Sequence, residues 1–138
     1  MQRTFTILKP DSVAAGHTGA IISRLEKEGF RIVAMKRVHL TEKQAQGFYY
    51  VHRERPFFGS LVKFMSEGPI IPMVLDADNA IEKLRKVMGA TDPAKADAGT
   101  IRKEFATNIE RNAIHGSDGP DTAAFEISYF FSQLEISA

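Results

Sequence analysis

The order of strands and helices along this sequence predicts an α+β domain, in which helices cover one side of a four-stranded antiparallel sheet. Strand-like and helix-like patterns follow one another as strand, helix, strand, helical region, strand, helix, strand and helix. That order is typical of the ferredoxin-like sandwich, or split βαβ plan. Because 138 residues is the length of one domain, we expect residues 1–138 to share a single fold.

Composition excludes several classes of protein. Hydrophobic residues make up 43% and charged residues 25%, as in globular chains and unlike disordered ones. No apolar run approaches the roughly 18 residues that span a bilayer, and the N-terminus lacks the pattern of a signal peptide. The absence of cysteine excludes disulfides, zinc ribbons and thiol catalysis. We therefore expect a cytoplasmic protein with no membrane segment.

Two strands and two helices are predicted before residue 51. They alternate, beginning with a strand, over residues 3–8, 19–28, 31–40 and 42–50. In the first strand, Phe5 and Ile7 share one face, opposite a face that includes threonines. Gly29 follows the first helix and supplies a favourable left-handed cap. Thr41 and Gln44 have the spacing of a capping box, which predicts where the second helix begins.

The middle of the chain predicts a helix, a strand and another helix. The first helix opens at residues 55–58, the strand covers residues 70–75, and the second helix covers residues 79–88. Pro56 is expected in the first helical turn, where a missing N–H costs nothing. Pro72 predicts that one side of the strand lacks a full hydrogen-bond ladder. Asp78 is a suitable N-cap for the second helix.

An irregular segment, residues 89–111, opens the last third of the chain and predicts at most one helical turn. A loop of that length in a compact domain is usually functional or disordered. Residues 112–115 predict a short fourth strand that breaks at Gly116. Pro120 begins the last helix, whose apolar face is expected to carry Ala123, Ile127, Phe130 and Leu134.

His115 is the strongest candidate for covalent catalysis. It lies at the end of the fourth predicted strand and precedes Gly116, which lets backbone or a ligand approach closely. Imidazole has an unperturbed pKa of about 6.5, so at neutral pH it is mostly uncharged and nucleophilic. A buried structural histidine fits the same local pattern. The other histidines lie among polar neighbours and are expected at the surface: His17, His39 and His52.

Two residues are candidates for orienting the imidazole. Glu126 lies at the margin of the apolar stripe of the last helix, where its carboxylate either points inward beside the sheet or outward to water. Ser117 either hydrogen-bonds the imidazole or caps the last helix.

Four cationic side chains mark the borders of predicted elements: Lys9, Arg55, Arg85 and Arg102. Each alone is an ordinary surface charge. Together in one cleft they would bind a polyphosphate, because arginine forks match phosphate oxygens. The chain has no glycine-rich phosphate loop and no acidic or histidine cluster with metal-ligand spacing. A metal ion, if one is used, is therefore expected to arrive with the substrate.

Residues 112–118, Asn-Ala-Ile-His-Gly-Ser-Asp, resemble the N-x-x-H-G-S-D signature of nucleoside diphosphate kinases. The resemblance covers almost the whole chain and extends to residues 9–11, 55–58, 66–69, 88–93 and 99–102. It implies that the γ-phosphate passes from a nucleoside triphosphate, typically ATP, to a nucleoside diphosphate through a phosphohistidine on His115. Ping-pong kinetics, broad base specificity and maintenance of nucleoside triphosphate pools are implied with it.

The resemblance also implies roles for single residues. Glu126 falls where the family orients its histidine, Phe57 where it stacks on the base, and Tyr49, rather than Tyr50, where it has an active-site tyrosine. The positions that contact phosphate and sugar are matched by Lys9, Arg85, Thr91, Arg102 and Asn112. Similar proteins use Mg²⁺ carried with the nucleotide and form homo-oligomers, which are tetramers or hexamers built from dimers.

A non-catalytic nucleotide- or RNA-binding module is the alternative. Ferredoxin-like sheets also bind RNA through surface aromatic and basic residues, a role that Phe57 and Arg55 fit. A formal net charge of +1 counts against it, because nucleic-acid binding through bulk electrostatics needs a strongly basic protein. The placement of Phe57 on a helix, away from the central strands, also counts against it. We therefore expect no required nucleic acid.

Overall fold

The structure, a computed structural model, describes residues 1–138 and contains one sheet of four strands with seven α-helices. In chain order the elements are β1 Gln2–Leu8, α1 Pro10–Ala14, α2 Thr18–Lys27, β2 Arg31–Met35, α3 Glu42–Phe48, α4 Phe58–Ser66, β3 Ile71–Ala77, α5 Ala80–Met88, α6 Ile101–Phe105, β4 Ile114–Gly116 and α7 Pro120–Phe130. Short 3₁₀ turns cover Tyr50–His52 and Gln133–Glu135. None of the helices has the length and apolar character that crossing a membrane requires.

The sheet has the strand order β2-β3-β1-β4, and every pair is antiparallel. β1 pairs along its whole length with β3, so that Phe5 lies opposite Val74. On its other side, only the last residues of β1 pair with β4, where Ile7 lies opposite His115. The predicted α+β, ferredoxin-like class is confirmed, and the pairing brings the C-terminal end of β1 beside His115.

Helices cover both faces of the sheet, so the expectation that they cover one side was wrong. One core cluster packs α3, α4 and α7 against the face that carries Phe5. A second cluster packs α2 and α5 against the face that carries Leu8 and Leu75. The second face was missed because Thr4 and Thr6 lie on it and suggest a wet surface, although both are fully buried.

Several element boundaries differ from the prediction, among them that of β4, which begins at Ile114 rather than at residue 112 and includes Gly116. Pro10, expected only to end β1, begins the short helix α1, because its fixed φ suits a first helical position. β2 ends at Met35, and only an isolated bridge between Val38 and Ile70 continues its pairing. Pro56 precedes α4, which begins at residue 58, so it is not in the first turn of that helix.

The two helix caps predicted from local patterns have opposite outcomes. The capping box of Thr41 and Gln44 is confirmed by two hydrogen bonds, of 2.9 and 3.1 Å. Asp78 does not cap α5. Instead, the side chain of Gln2, at the start of β1, accepts a hydrogen bond from the backbone N–H of Ile81 at 3.0 Å. A cap supplied from 79 residues away leaves no local sequence pattern.

Pro72 lies in the interior strand β3, and the ladder is incomplete on one side of it, as expected. Its carbonyl accepts a hydrogen bond from the N–H of Lys36 at 3.2 Å. The N–H and C=O of a residue in a strand point to the same side, so the missing donor faces the end of β2. Since β2 has already ended there, the loss is tolerated.

Leu134 is not part of the apolar face of α7. The helix ends at Phe130, and Leu134 lies in the 3₁₀ turn beyond it with 99% of its surface exposed. Phe131 takes its place in the core with only 6% exposed. The helical spacing was extrapolated past Phe131, whose backbone is extended.

Leu84 and Leu134 offer a matched pair of substitutions, since Leu84 is 0% exposed and Leu134 is 99% exposed. We expect Leu84→Ala to lower the free energy of unfolding by about 2–5 kcal/mol, because it leaves a cavity in the core. Leu134→Ala should change it by less than about 0.5 kcal/mol. Urea unfolding at one protein concentration measures both, and equal losses would contradict the packing described here.

Candidate active site

A cleft opens beside His115. One part of it, a cavity of about 220 Å³, is lined by Lys9, Tyr49, His52, Phe57, Leu61, Arg85, Thr91, Arg102, Asn112, His115, Gly116 and Asp118. An adjoining cavity of about 390 Å³ shares five of those residues and adds Ile109 and Glu110. Eight of the ten candidate site residues line the first cavity. The remaining two, Glu126 and Ser117, lie behind His115.

Glu126 hydrogen-bonds both the imidazole of His115 and the hydroxyl of Ser117. Nε2 of His115 lies 2.9 Å from Oε1 of Glu126, and the hydroxyl of Ser117 donates to the same oxygen at 2.6 Å. A carboxylate only accepts hydrogen bonds, so this contact places the proton on Nε2 and leaves Nδ1 without a protein partner. The sequence offered two roles for Ser117, a hydrogen bond to the imidazole and a cap for α7. The structure shows neither, because Ser117 contacts Glu126 instead and the N-cap of α7 is Gly119.

Packing fixes the plane of the imidazole. The ring of Phe5, from β1, lies edge-on at 6.3 Å from the ring of His115, and the ring of Phe48, from α3, does so at 5.9 Å. The His115 side chain is 21% exposed and the Glu126 side chain 13% exposed. The histidine therefore faces the cleft with one edge while its other edge is held by the protein.

A tight turn of unusual backbone geometry leads into β4. The N–H of Ile114 donates to the carbonyl of Asn112 at 2.9 Å, so the turn spans three residues. Its central residue, Ala113, has a φ of 74°, a left-handed value that residues other than glycine rarely adopt. The side chain of Asn112, three residues before His115, lines the cleft.

Lys9 is a buried cation at the end of β1. It is 8% exposed, and its ammonium donates to Oδ1 of Asn112 at 2.8 Å. Burial and then the nearby Arg102 lower the pKa of Lys9 from 10.5 to about 8. At neutral pH it is still mostly protonated, but its charge is poorly compensated in the empty cleft and favours an anionic ligand.

Arg102 is tied to the backbone of the cleft. Its guanidinium donates to three carbonyls, those of Gly89, Asn112 and Ile114, at 3.1, 3.3 and 2.8 Å. Two of its five N–H donors are left over. Burial and then Arg85 lower the pKa of Arg102 to about 10, so it stays charged at neutral pH. It comes from α6, the single helix of the irregular segment 89–111, as expected.

Three of the four cations at the borders of predicted elements meet in the cleft. Arg85 reaches the cleft from α5 and pairs with Asp118 at 2.7 Å, joining Lys9 and Arg102. Arg55 is exposed and lines neither cavity, so it is the ordinary surface charge that each cation alone was taken to be. It lies in the turn before α4, where the sequence alone does not indicate which way a side chain points.

Tyr49 rather than Tyr50 faces the cleft. Tyr49 is 6% exposed, and its hydroxyl is buried without a hydrogen-bond partner, whereas Tyr50 is 57% exposed. Burial and then the charge of Glu126 raise the pKa of Tyr49, so its hydroxyl stays protonated and is a donor.

Three lining residues were not predicted. Leu61 and Asp118 had no assigned role in the site, and His52 was expected to be an ordinary surface residue. The ring of His52 lies 5.7 Å from that of Phe57, which is 48% exposed at the opening of the cleft. A 3₁₀ turn carries His52 there, a geometry that helical or strand periodicity does not indicate.

The cleft has no metal site of its own. No group of three or more histidine or acidic side chains lies close enough together to hold a metal ion. Cations predominate instead, beside a histidine with one free ring nitrogen and an exposed aromatic ring. An α+β domain with such a cleft has the make-up of a nucleotide-dependent phosphotransferase.

Comparisons with known proteins identify the family within that class. The family model described as nucleoside diphosphate kinase matches residues 2–136. The nucleoside diphosphate kinase of Syntrophotalea carbinolica is 60% identical over 136 residues, which cover 99% of each chain, and that of Geotalea daltonii is 58% identical with the same coverage.

Solved structures agree. A crystal structure of the Aquifex aeolicus nucleoside diphosphate kinase matches with a TM-score of 0.96 at 46% identity, over 98% of each chain. A halophilic nucleoside diphosphate kinase from Halobacterium salinarum, in complex with CDP, matches with a TM-score of 0.95 at 39% identity, over 99% of this chain and 91% of that one. The chain belongs to the nucleoside diphosphate kinase family. It is a phosphotransferase that moves the terminal phosphate of a nucleoside triphosphate to a nucleoside diphosphate.

The alternative of an RNA-binding module does not fit the fold. Such modules stack bases on an open face of the sheet. Here helices cover both faces, and all seven residues of β3 are buried.

Lys9 should give the stability of the fold a distinctive pH dependence. Its pKa is about 8 in the folded chain against an ordinary value of 10.5, so between these values the unfolded chain binds more protons. The free energy of unfolding of the wild type should therefore rise relative to that of Lys9→Met as the pH increases from about 8 to about 10, by on the order of 1–3 kcal/mol. Urea unfolding across that range measures the difference, and parallel curves would refute the assignment.

Proposed function

We propose that His115 carries the phosphate between the two nucleotides and that Nδ1 is the attacking atom. The observation that supports this most directly is the contact of Nε2 with Glu126, which leaves the Nδ1 lone pair free. Eight of the candidate site residues line the same cleft, which gives the histidine a polyphosphate-binding environment. These residue roles are inferred from the geometry and from the family.

In the first half-reaction, the Nδ1 lone pair forms a bond to the γ-phosphorus, and the bond from that phosphorus to the β,γ-bridging oxygen breaks. The nucleoside diphosphate leaves with the electron pair. The imidazole gains positive charge, which the carboxylate of Glu126 stabilises through Nε2–H. In the second half-reaction, a terminal oxygen of the acceptor diphosphate forms a bond to the same phosphorus and the bond from phosphorus to Nδ1 breaks. Its electron pair returns to Nδ1, which restores the neutral imidazole.

Positioning and charge neutralisation carry most of the catalysis of phosphoryl transfer. Lys9, Arg85 and Arg102 are assigned to the phosphate oxygens. Arg85 is paired with Asp118 in the empty cleft, so a bound phosphate would compete with that carboxylate for its guanidinium. The protonated hydroxyl of Tyr49, which has no partner, and the side chains of Thr91 and Asn112 are further polar groups in the cleft.

Magnesium is assigned to the substrate. The chain has no cluster of acidic residues that fits a metal ion, so the ligands of Mg²⁺ would be phosphate oxygens and water. The ion supplies charge neutralisation when it enters with the nucleotide. The remaining steps of the mechanism are carried by side chains of this protein.

We also propose that residues 1–138 act as one domain, in the cytoplasm, within a homo-oligomer. The family supports a tetramer or hexamer built from dimers. Exposed apolar side chains on the isolated chain agree with assembly, among them Met35 at the end of the edge strand β2 and Val51.

Phosphorylation of His115 is directly testable. Incubation with γ-labelled ATP and Mg²⁺, without acceptor, should give an acid-labile, base-stable label on the chain, because a phosphoramidate resists base and hydrolyses in acid. Addition of a nucleoside diphosphate should remove the label. His115→Asn should abolish labelling, whereas His39→Asn should not, since His39 is exposed and contacts the carbonyl of Ser66.

Two outcomes would count against His115 as the carrier. One is retention of the label in His115→Asn. The other is the absence of labelling in a folded wild-type protein that still binds nucleotide.

Base tolerance is the second testable consequence. Phe57 is 48% exposed, and stacking on one ring accepts every base, so kcat/KM for purine and pyrimidine diphosphates should agree within about tenfold. Phe57→Ala should raise KM for all of them alike, by about five- to a hundredfold, corresponding to about 1–3 kcal/mol of stacking. Phe125, which is 46% exposed on α7 and outside the cleft, is the matched control. Phe57→Ala losses confined to one base would refute the stacking role.

A further inference from the structure

Asp11 is a charged residue that lines neither cavity of the cleft and has no task in the proposed mechanism. It lies in the first turn of α1, two residues after Lys9. Its Oδ2 accepts a hydrogen bond from the backbone N–H of Ala113 at 3.0 Å. Its Oδ1 is buried without any hydrogen-bond partner. A buried carboxylate oxygen without a hydrogen-bond donor lowers the stability of the fold, so we expect Asp11 to have a function that offsets this cost.

The first contact of Asp11 is with the tight turn that leads to His115. Ala113, the residue with a φ of 74°, forms hydrogen bonds with residues 9–12 through both its N–H and its C=O group. Its carbonyl accepts hydrogen bonds from the N–H of Lys9 at 3.0 Å and from the hydroxyl of Ser12 at 2.9 Å. Only Asp11 holds the N–H. A strained backbone persists where its surroundings fix it from several sides, and here Asp11 supplies one of them.

The second effect of Asp11 is electrostatic. It forms no ion pair with Lys9, yet its negative charge acts on the Lys9 ammonium through space and opposes the effect of Arg102 from α6. Glu110, in the segment before β4, acts in the same sense. From α4, the uncharged ring of Phe64 lies 6.0 Å from the ammonium. The other titratable groups that share its cavity are Tyr49, His52, Arg85, His115 and Asp118.

We propose that Asp11 is a positioning residue for phosphoryl transfer, which locks the turn at Ala113 and keeps Lys9 charged in the empty cleft. It touches neither nucleotide nor phosphate and acts through the backbone before His115 and through Lys9. This inference rests on the proposed roles of Lys9 and His115, so its test includes a measurement that does not depend on activity.

The electrostatic part is tested with Asp11→Asn, which keeps an oxygen acceptor for the N–H of Ala113 and removes the charge. The pH profile of kcat/KM reports groups of the free enzyme. Its alkaline limb, which we assign to Lys9 with a pKa of about 8, should move about one pH unit lower in the variant. The rate relative to wild type should therefore fall as the pH rises. A merely structural role would lower the whole profile without moving this limb.

Asp121→Asn is the matched control. Asp121 lies in the first turn of α7 directly after a proline, as Asp11 does in α1, but it is exposed and lines neither cavity of the cleft. Its profile should coincide with that of the wild type.

The measurement independent of activity is the titration of the Lys9 ammonium in the nucleotide-free protein, followed by ¹⁵N NMR and assigned with Lys9→Arg. It should show the same downward shift in Asp11→Asn. An unshifted titration overturns the proposal, whatever the kinetics. A shifted titration with an unchanged pH profile would instead show that Lys9 does not control the rate, which contradicts the proposed role of Lys9 and the catalytic effect ascribed to Asp11.

The turn-locking part is tested by rescue. Asp11→Ala should lower kcat about tenfold or more, because the segment before His115 loses its tether. Adding Ala113→Gly should restore part of that loss, since glycine adopts a positive φ without strain. A double variant no better than Asp11→Ala would overturn this part. If Asp11→Ala does not fold, rescue of folding by Ala113→Gly reports on the same coupling.

Discussion

The pairing of β4 with the end of β1 is the constraint on which the active site depends. It places Leu8 opposite Ile114, and one more backbone hydrogen bond, from Lys9 to Ala113, continues the contact past the end of the strand. Residues about a hundred positions apart thereby share one cleft wall. The hydrogen bond of the Lys9 ammonium to Asn112 and the placement of His115 both follow from this register. A slip of one residue would turn the histidine toward the opposite face of the sheet.

The buried cations of the cleft lower the stability of the empty protein but favour the binding of anions. Lys9 and Arg102 are buried and keep their positive charge at neutral pH, although burial lowers the pKa of each. Partial compensation comes from neutral acceptors, the carbonyl of the Asn112 side chain and three backbone carbonyls, rather than from direct ion pairs. Such acceptors hold the cations in place without cancelling their charge. The cleft therefore contains positioned, unneutralised donors, and the proposed phosphoryl transfer would draw on this preorganisation.

The two hydrophobic clusters explain why the site lies where it does. Because helices cover both faces of the sheet, neither face is open to a ligand. Because β4 is short, it pairs with only part of the edge of β1. The cleft lies beside this edge and is surrounded by α5, α6 and the turn before α4. The ring of Phe57 at its opening and the imidazole at its floor are held by different elements. The distance between this ring and the imidazole is thus set by tertiary packing.

Much of the fold was determined by local patterns in the sequence. The capping box at Thr41 and the β1 pattern around Phe5 are short-range signals, and the structure contains both as predicted. Helices were misjudged where a distant residue or a change of backbone direction decided the outcome. Gln2 caps α5 in place of Asp78, and the backbone extends at Phe131, so the periodicity that included Leu134 stops short.

The sequence by itself made His115 the strongest candidate nucleophile, because the chain has no cysteine, but the class of chemistry came from the resemblance of its motifs to those of a known family. It also carried the family motif around His115. Only the tertiary structure decided which cations meet, that Arg55 points to solvent while Arg85 reaches the cleft, that His52 lines the cleft, and that Ser117 acts on Glu126 rather than on the imidazole. Convergence of side chains depends on strand register and helix packing between distant segments, and spacing along the chain contains no measure of either.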